Sequence, residues 1–297
     1  MKIIAGSSSN ILAKSIAKAT NSDYLKTIIS HFEDQELKIQ VLGDMHMQEV
    51  IIIQSTSKPA NNHLMELLLL IDTAKRARAK RIIAVVPYFG YSRQDHQSYN
   101  HGPISASLVA SLIEAAGASQ VLTIDLHSSQ IEGFFKLPIQ NLSLLEVFKP
   151  IFKKYKNCVV VSPDVGGLVR AREVSNFLKV DLAVINKSRD EQNKPHMTQI
   201  IGNIAGRNCI IIDDIVDTAG TITKAADLLS ANGAKSVDAF VSHGVLSNIA
   251  QGLIQNSTIN KIYITNTIEF KPVSPKISII AIDSLLAKYV SSFQPII

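Results

Sequence analysis

The densest chemistry in this chain lies in CIIIDDIVDTAGTITKAADLL, where an apolar run at 209–212 meets Asp213, Asp214, Asp217, Thr218, Ala219, Gly220 and Thr221 ahead of a helix-forming stretch. A glycine that allows a tight turn, threonine hydroxyls and the free N–H groups of a helix start can together hold a phosphate dianion. Asp213 and Asp214 then stand ready to accept hydrogen bonds from sugar hydroxyls. Helix capping needs far less, since three Asp and two Thr around one Gly exceed the demands of an N-terminus.

Three further segments have the same strand-to-loop character. VVPYFGYSRQDHQ follows an apolar run at 82–86 and puts Arg93, Gln94 and Asp95 where α/β proteins bind ligands, and the first two can reach a nucleotide triphosphate. In LTIDLHSSQIEGFF, Asp125 and His127 are two residues apart, so a strand through both would turn them to one side of the pleat. There they can ligate Mg²⁺ or contact a metal-bound phosphate. VVVSPDVGGLVRAREV offers Asp164 to a metal, with Gly166 and Gly167 permitting close approach, whereas Arg170 and Arg172 read as solvated helix charges.

The elements that must position these residues are short apolar runs at 51–53, 82–86, 121–124, 159–161, 182–185, 210–212, 237–241 and 262–264, with helical patterns between them. Such alternation predicts an α/β fold with a mostly parallel sheet. A weak repeat is also present: AAGASQVLTIDLH at 115–127 aligns with ANGAKSVDAFVSH at 231–243, matching Gly117 to Gly233, Val121 to Val237 and His127 to His243. Extended upstream, it lays PISASLVASLIEAAGA over TITKAADLLSANGA and implies two α/β domains of related topology. The divide is expected in the basic, Pro-containing FKPIFKKYK at 148–156, giving domains 1–147 and 148–297 with the last helix able to pack back on the first.

With 297 residues, 46% of them hydrophobic, the chain can bury cores for two such domains. Few aromatics and no Trp suit buried parallel strands better than a sandwich or a disulfide scaffold. The net charge of +5 could suggest nucleic acid, but it is dispersed and small anionic substrates explain it equally well, so no nucleic-acid partner is expected. Cys158 and Cys209 each flank an apolar run without paired spacing, which supports neither a disulfide nor zinc and fits a reducing cytoplasm. The first apolar stretch is too short for a signal peptide and no run approaches about 18 apolar residues, so neither export nor a membrane span is expected.

Taken in order, DLHSSQIEGFF, VSPDVGGLVRAR and DDIVDTAGT resemble the hallmark stretches of the class I ribose-phosphate diphosphokinases, or PRPP synthetases, over nearly the whole chain. The resemblance implies two tandem type I phosphoribosyltransferase-like domains, each a mainly parallel sheet flanked by helices. It also implies Mg²⁺-dependent transfer of the β,γ-diphosphoryl group of ATP to ribose 5-phosphate, giving phosphoribosyl diphosphate (PRPP) and AMP for nucleotide biosynthesis. By motif, Asp213, Asp214, Asp217, Thr218, Ala219, Gly220 and Thr221 would form the ribose 5-phosphate loop, and Arg93, Gln94 and Asp95 the ATP loop. His127 and Asp164 would lie in the metal and ATP-phosphate region.

INKSRDEQNKP would supply Lys187 and Arg189 as the catalytic cations of a mobile loop, with Ser188 replacing the middle basic residue usual in the family. FEDQE at 32–36 resembles an adenine-binding turn given by a neighbouring subunit, Phe32 stacking on the base and Asp34 and Glu36 reading its edge. A homo-oligomer follows, at least a dimer, with a hexamer compatible. His46, His96, Gln97, Tyr99 and His101 stand where the family is richer in Lys and Arg, and SLLAKYVSSFQPII lacks the family's serine-containing tail. Weak or absent allosteric control by phosphate and ADP is therefore expected. A phosphoribosyltransferase or a non-catalytic regulatory homologue would share the fold, but Lys187, Arg189, His127 and the three loop Asp residues point away from the latter, and two related domains with an Arg93 loop from the former.

Overall fold

A computed structural model describes residues 1–97, 99–189 and 195–293, and the side chains of residues 187–189 and 195–198 lie outside that description. The chain forms two compact units, one of Met1–Ser143, Thr267–Glu269 and Ile282–Ile297, the other of Leu144–Asn266 and Phe270–Ala281. Among the described residues no helix is long and apolar enough to cross a membrane.

The first unit contains β1 (Lys2–Ala5), α1 (Asn10–Ala19), β2 (Asp23–Tyr24), β3 (Lys26–His31), β4 (Leu37–Leu42), β5 (Glu49–Ile53), α2 (Ala60–Arg76), β6 (Arg81–Val86), α3 (Ser105–Ala116), β7 (Gln120–Ile124) and β8 (Ile139–Leu142). Its sheet runs β2, β1, β5, β6, β7, β8, every neighbour parallel. β3 and β4 stand apart as an antiparallel hairpin, with Lys26 opposite Leu42 and His31 opposite Leu37. The strand sequences VIII and IIAVV are almost wholly buried, as a parallel sheet covered on both faces requires. Leu67, Leu70, Ile71 and Ala74 form the buried stripe of α2 at three- and four-residue spacing.

The second unit contains α4 (Leu145–Phe152), β9 (Cys158–Ser162), α5 (Leu168–Leu178), β10 (Leu182–Arg189), β11 (Pro195–Ile201), β12 (Asn208–Val216), α6 (Gly220–Ala231), β13 (Ser236–Gly244), α7 (Ala250–Asn256), β14 (Lys261–Thr265) and β15 (Ile277–Ile280). Its order is β11, β10, β9, β12, β13, β14, β15, parallel throughout except for the β10/β11 pair. α8 (Asp283–Ser291) then returns the chain to the first unit, where it packs on α1.

The two sheet orders coincide when β1 is laid on β9, β2 on β10, β5 on β12, β6 on β13, β7 on β14 and β8 on β15. The repeat read from sequence, which sets β7 against β13, is therefore displaced by one strand–helix step. Its signal was local: α3 and α6 both end before a left-handed glycine, Gly117 at φ 118° and Gly233 at φ 86°, and a strand follows each. Any helix–glycine–strand unit satisfies that pattern, whereas strand order is decided by pairing across the sheet.

The segment at 148–156 carries much of α4 and belongs to the core of the second unit. Phe148 and Phe152 pack on Phe240 at ring-centroid distances of 5.3 and 4.5 Å, and Tyr263 stacks on Phe240 from another side at 4.5 Å. Both cysteines are buried and free, and burial pushes the Cys209 thiol up to about 11.

Candidate functional site

In the second unit the chain leaves β9 for β10 on one side and places β12 on the other, so the sheet reverses direction between β9 and β12. Such a reversal opens a crevice at the carboxyl ends of the two strands. The loop after β9 carries Asp164, and the end of β12 with the loop that follows it carries the Asp213–Thr221 stretch, so residues distant in sequence converge there.

β12 extends to Val216, past the apolar run that marked it in sequence, because β13 continues to pair with it as far as Gly244. Asp213 and Asp214 are thus strand residues: Asp213 pairs with Val241, and the Asp214 N–H donates to Asp213 Oδ1 at 3.0 Å. The Asp214 carboxylate is buried, with its Oδ1 3.6 Å from Nη1 of Arg170. Arg170, read from sequence as a solvated charge, is the counter-ion of this cluster. Burial, then the neighbouring Asp214 carboxylate and further Asp164, push the Asp213 carboxyl well above the usual carboxylate range, and Arg170 only partly offsets them. Asp164 is anchored by accepting the Gly167 N–H at 3.0 Å.

The turn into α6 also differs from its sequence reading. Ala219, not Gly220, takes the left-handed conformation, at φ 65° and ψ 0°, while Gly220 is already the first helical residue. A methyl group on Gly220 would meet only Thr218 Oγ1, at 3.7 Å, so the small residue leaves an open face. No side chain caps α6, and Thr218 and Thr221 are exposed beside its first turn. Uncapped N–H groups, two hydroxyls and a helix dipole give this turn the chemistry that suits an anion.

In the first unit, Arg93 and Gln94 are exposed on the loop after β6, whereas Asp95 is buried. Gln94 is tied by its N–H to the Tyr91 carbonyl at 3.0 Å and by its carbonyl to the Ala106 N–H at 3.1 Å. Ser105 at the start of α3 donates to its side-chain oxygen. Burial alone would raise the Asp95 carboxyl, but surrounding hydrogen bonds, His96 Nδ1 at 2.7 Å among them, hold it below its ordinary value. β7 ends at Ile124, and Asp125 has φ 45°, so the pleat rule does not govern Asp125 and His127. The left-handed step breaks the alternation, and His127 emerges exposed on the following loop.

The 32–36 turn closes the β3/β4 hairpin. The Phe32 N–H donates to the Glu36 carbonyl at 2.9 Å, Gln35 takes φ 72°, and Asp34 Oδ1 accepts the Glu36 N–H at 3.1 Å. Phe32 is 51% exposed, with Lys38 over its ring at 5.5 Å, and Asp34 and Glu36 are exposed too. Lys187 and Arg189, expected on a loop, have backbones in β10 paired with β11, and their side chains lie outside the described residues. Among the described residues no cluster of three or more His, Cys, Asp or Glu side chains is arranged as a metal cage. The charge balance around Asp213, three carboxylates against Arg170, still fits a divalent cation shared with a phosphorylated ligand.

Sequence reasoning passed over QSTS at 54–57, which follows β5 and is buried although wholly polar. A polar run directly after an apolar strand was the available signal. These residues occupy the place in the first unit that the turn into α6 occupies in the second, since β5 corresponds to β12.

A family model of the N-terminal domain of ribose phosphate pyrophosphokinase matches residues 1–117, and one of the phosphoribosyl transferase domain matches residues 145–271. The chain is 44% identical over 300 residues to a ribose-phosphate pyrophosphokinase of Mesorhizobium japonicum, covering 98% of this chain and 96% of that protein. It is 46% identical over 270 residues to the enzyme of the same name from Bacillus caldolyticus, with 90% and 86% covered. The crystal structure of phosphoribosylpyrophosphate synthetase from Mycobacterium smegmatis superposes with a TM-score of 0.93 at 33% identity, covering 98% of this chain and 97% of that one.

Proposed function

The chain belongs to the ribose-phosphate pyrophosphokinase family and is an enzyme of that activity, and from that premise we propose which residues perform each part of the reaction. The β,γ-diphosphoryl group of ATP passes to the C1 hydroxyl of ribose 5-phosphate, leaving AMP and PRPP. The observation that carries the assignment is the turn into α6, where Ala219 at φ 65° presents uncapped N–H groups beside two strand-held carboxylates.

In this reading the 5-phosphate sits on the N–H groups and hydroxyls from Thr218 to Thr221, and Asp213 and Asp214 accept hydrogen bonds from the ribose hydroxyls. Asp217 completes the loop. Arg93 and Gln94 bind the ATP phosphates, with Asp95 bracing their loop. Phe32 stacks on adenine of a neighbouring copy while Asp34 and Glu36 read its edge, so the working form is at least a dimer. The exposure of all three side chains at the hairpin tip supports that role.

Phosphoryl transfer calls for alignment and charge neutralisation more than covalent chemistry. Lys187 and Arg189 supply the neutralising cations for the transferring group. Mg²⁺ would neutralise phosphate charge when bound; Asp164 in the second unit and His127 in the first are each available to a metal-bound phosphate, and since His is an unusual Mg²⁺ ligand the carboxylate is the stronger partner. A location in the cytoplasm belongs to the same reading, because both substrates are phosphorylated metabolites of the cell interior.

Incubation with Mg-ATP and ribose 5-phosphate should give AMP and PRPP in equal amounts, and Lys187→Ala should lower kcat by about 10³-fold or more. ADP should inhibit only in competition with ATP. Undiminished turnover by Lys187→Ala would remove that residue from the mechanism, and sigmoidal ADP inhibition would restore an allosteric site.

A further inference from the structure

We propose that Thr56 is a positioning residue for the nucleotide: it fixes the loop that carries Arg93 and Gln94 and so sets the affinity for ATP. The inference rests on the assignment of that loop to ATP. The side chain of Thr56 is essentially wholly buried one strand away from the loop, beyond the end of β5. Its Oγ1 accepts the Gly90 N–H at 2.6 Å and donates to the Tyr88 carbonyl at 3.2 Å, and its own N–H donates to the same carbonyl at 2.9 Å. The Tyr88 N–H in turn donates to Ser55 Oγ at 3.2 Å.

Backbone groups of the loop are thereby held from 88 to 90 by two adjacent side chains. The contact is also close-packed, for a methyl group on Gly90 would lie 2.3 Å from the Thr56 carbonyl oxygen. From this clamped point the chain turns through Tyr91 at φ 65°, and Gln94 bonds back to Tyr91, so Arg93 and Gln94 inherit their position from the clamp. The sheet order gives the arrangement its logic. In the first unit the reversal falls between β1 and β5, yet the loop after β5 is turned inward and bonded to the loop after β6. The exposed cationic loop is consequently displaced by one strand, and Thr56 is the brace that makes the displacement rigid.

Thr56→Val keeps the shape and deletes the hydroxyl, leaving the Gly90 N–H buried without an acceptor. The expected result is a KM for ATP raised about tenfold, with kcat and the KM for ribose 5-phosphate changed less than about twofold, and with Thr56→Ser restoring the ATP affinity. Gly90→Ala, which pushes the loop away from Thr56, should reproduce the ATP effect and decides the matter if Thr56→Val fails to fold. An unchanged KM for ATP in both variants, or equal losses for both substrates, would overturn the proposal. Arg93→Ala separates the two levels: if it leaves the KM for ATP unchanged, the ATP assignment of the loop falls and the inference with it. If Arg93→Ala weakens ATP but neither clamp variant does, only the positioning role is lost.

Discussion

At Asp213 the cost of burial beside Asp214 and Asp164 outweighs the attraction of Arg170, so the carboxyl holds its proton more tightly in the folded chain than in the unfolded one. A group raised in this way contributes stability that is fully present below its unfolded pKa and is lost as pH rises through the folded value. Asp213→Asn imitates the protonated form, so it should melt higher than the parent at neutral pH, with the gap closing towards about pH 4. The same variant should bind ribose 5-phosphate more weakly. Thermal melts across that range check the sign, and a variant less stable than the parent at neutral pH would contradict it. That Asp213 lies near a strand end ahead of a turn of Asp, Thr and Gly was legible in the sequence. Its pairing with Arg170 was not, because nothing in the order of residues says which helix charge turns inward.

At the scale of an element, the turn into α6 shows how a correct location can carry a wrong agent. Gly220 is the residue that a sequence reading credits with the turn, but the left-handed step is taken by Ala219, buried against the core of the second unit. A branched side chain there suffers both the backbone strain and the tight surroundings. Alanine already bears the left-handed step, so the cost of Ala219→Val comes from forcing a branched side chain into a buried site, about 1–3 kcal/mol; it should also weaken ribose 5-phosphate binding, as melts and a titration would reveal. Ala219→Gly should stay within about 1 kcal/mol of the parent. Equal stability of the valine and glycine variants would remove the strain argument. The same scale explains the displaced repeat, since α3 with β7 and α6 with β13 are alike locally and occupy different places in their sheets.

For the whole molecule, the notable feature is that the first unit takes segments from far along the chain. Glu269 Oε1 accepts the N–H groups of Ile11 and Leu12 at the start of α1, at 3.0 and 3.4 Å, and Ser55 Oγ donates to the Thr267 carbonyl. Ile282, Leu286 and Val290 are fully buried in and beside α8. Burial of three such side chains contributes about 5–9 kcal/mol, comparable to the whole stability of an ordinary domain. A chain truncated after Ile280 should therefore lose the cooperative melt of the first unit while ring contacts around Phe240 keep the second folded. Retention of both transitions in calorimetry would show that α8 is dispensable.

The sequence by itself determined the α/β class, the strands at the centre of both sheets, the family and the identity of the loops that carry Asp, Thr, Arg and His at strand ends. These are local facts: periodicity selects element type, and a polar cluster after an apolar run marks a strand's carboxyl end. Only the tertiary structure decided which strands are neighbours, that β12 runs on through Asp213 and Asp214, that Arg170 faces Asp214, and that Thr56 braces the loop of Arg93. Each of those depends on pairing or burial between residues tens of positions apart. Their free energy arises from groups that meet only when the sheet closes, so no window along the chain contains it.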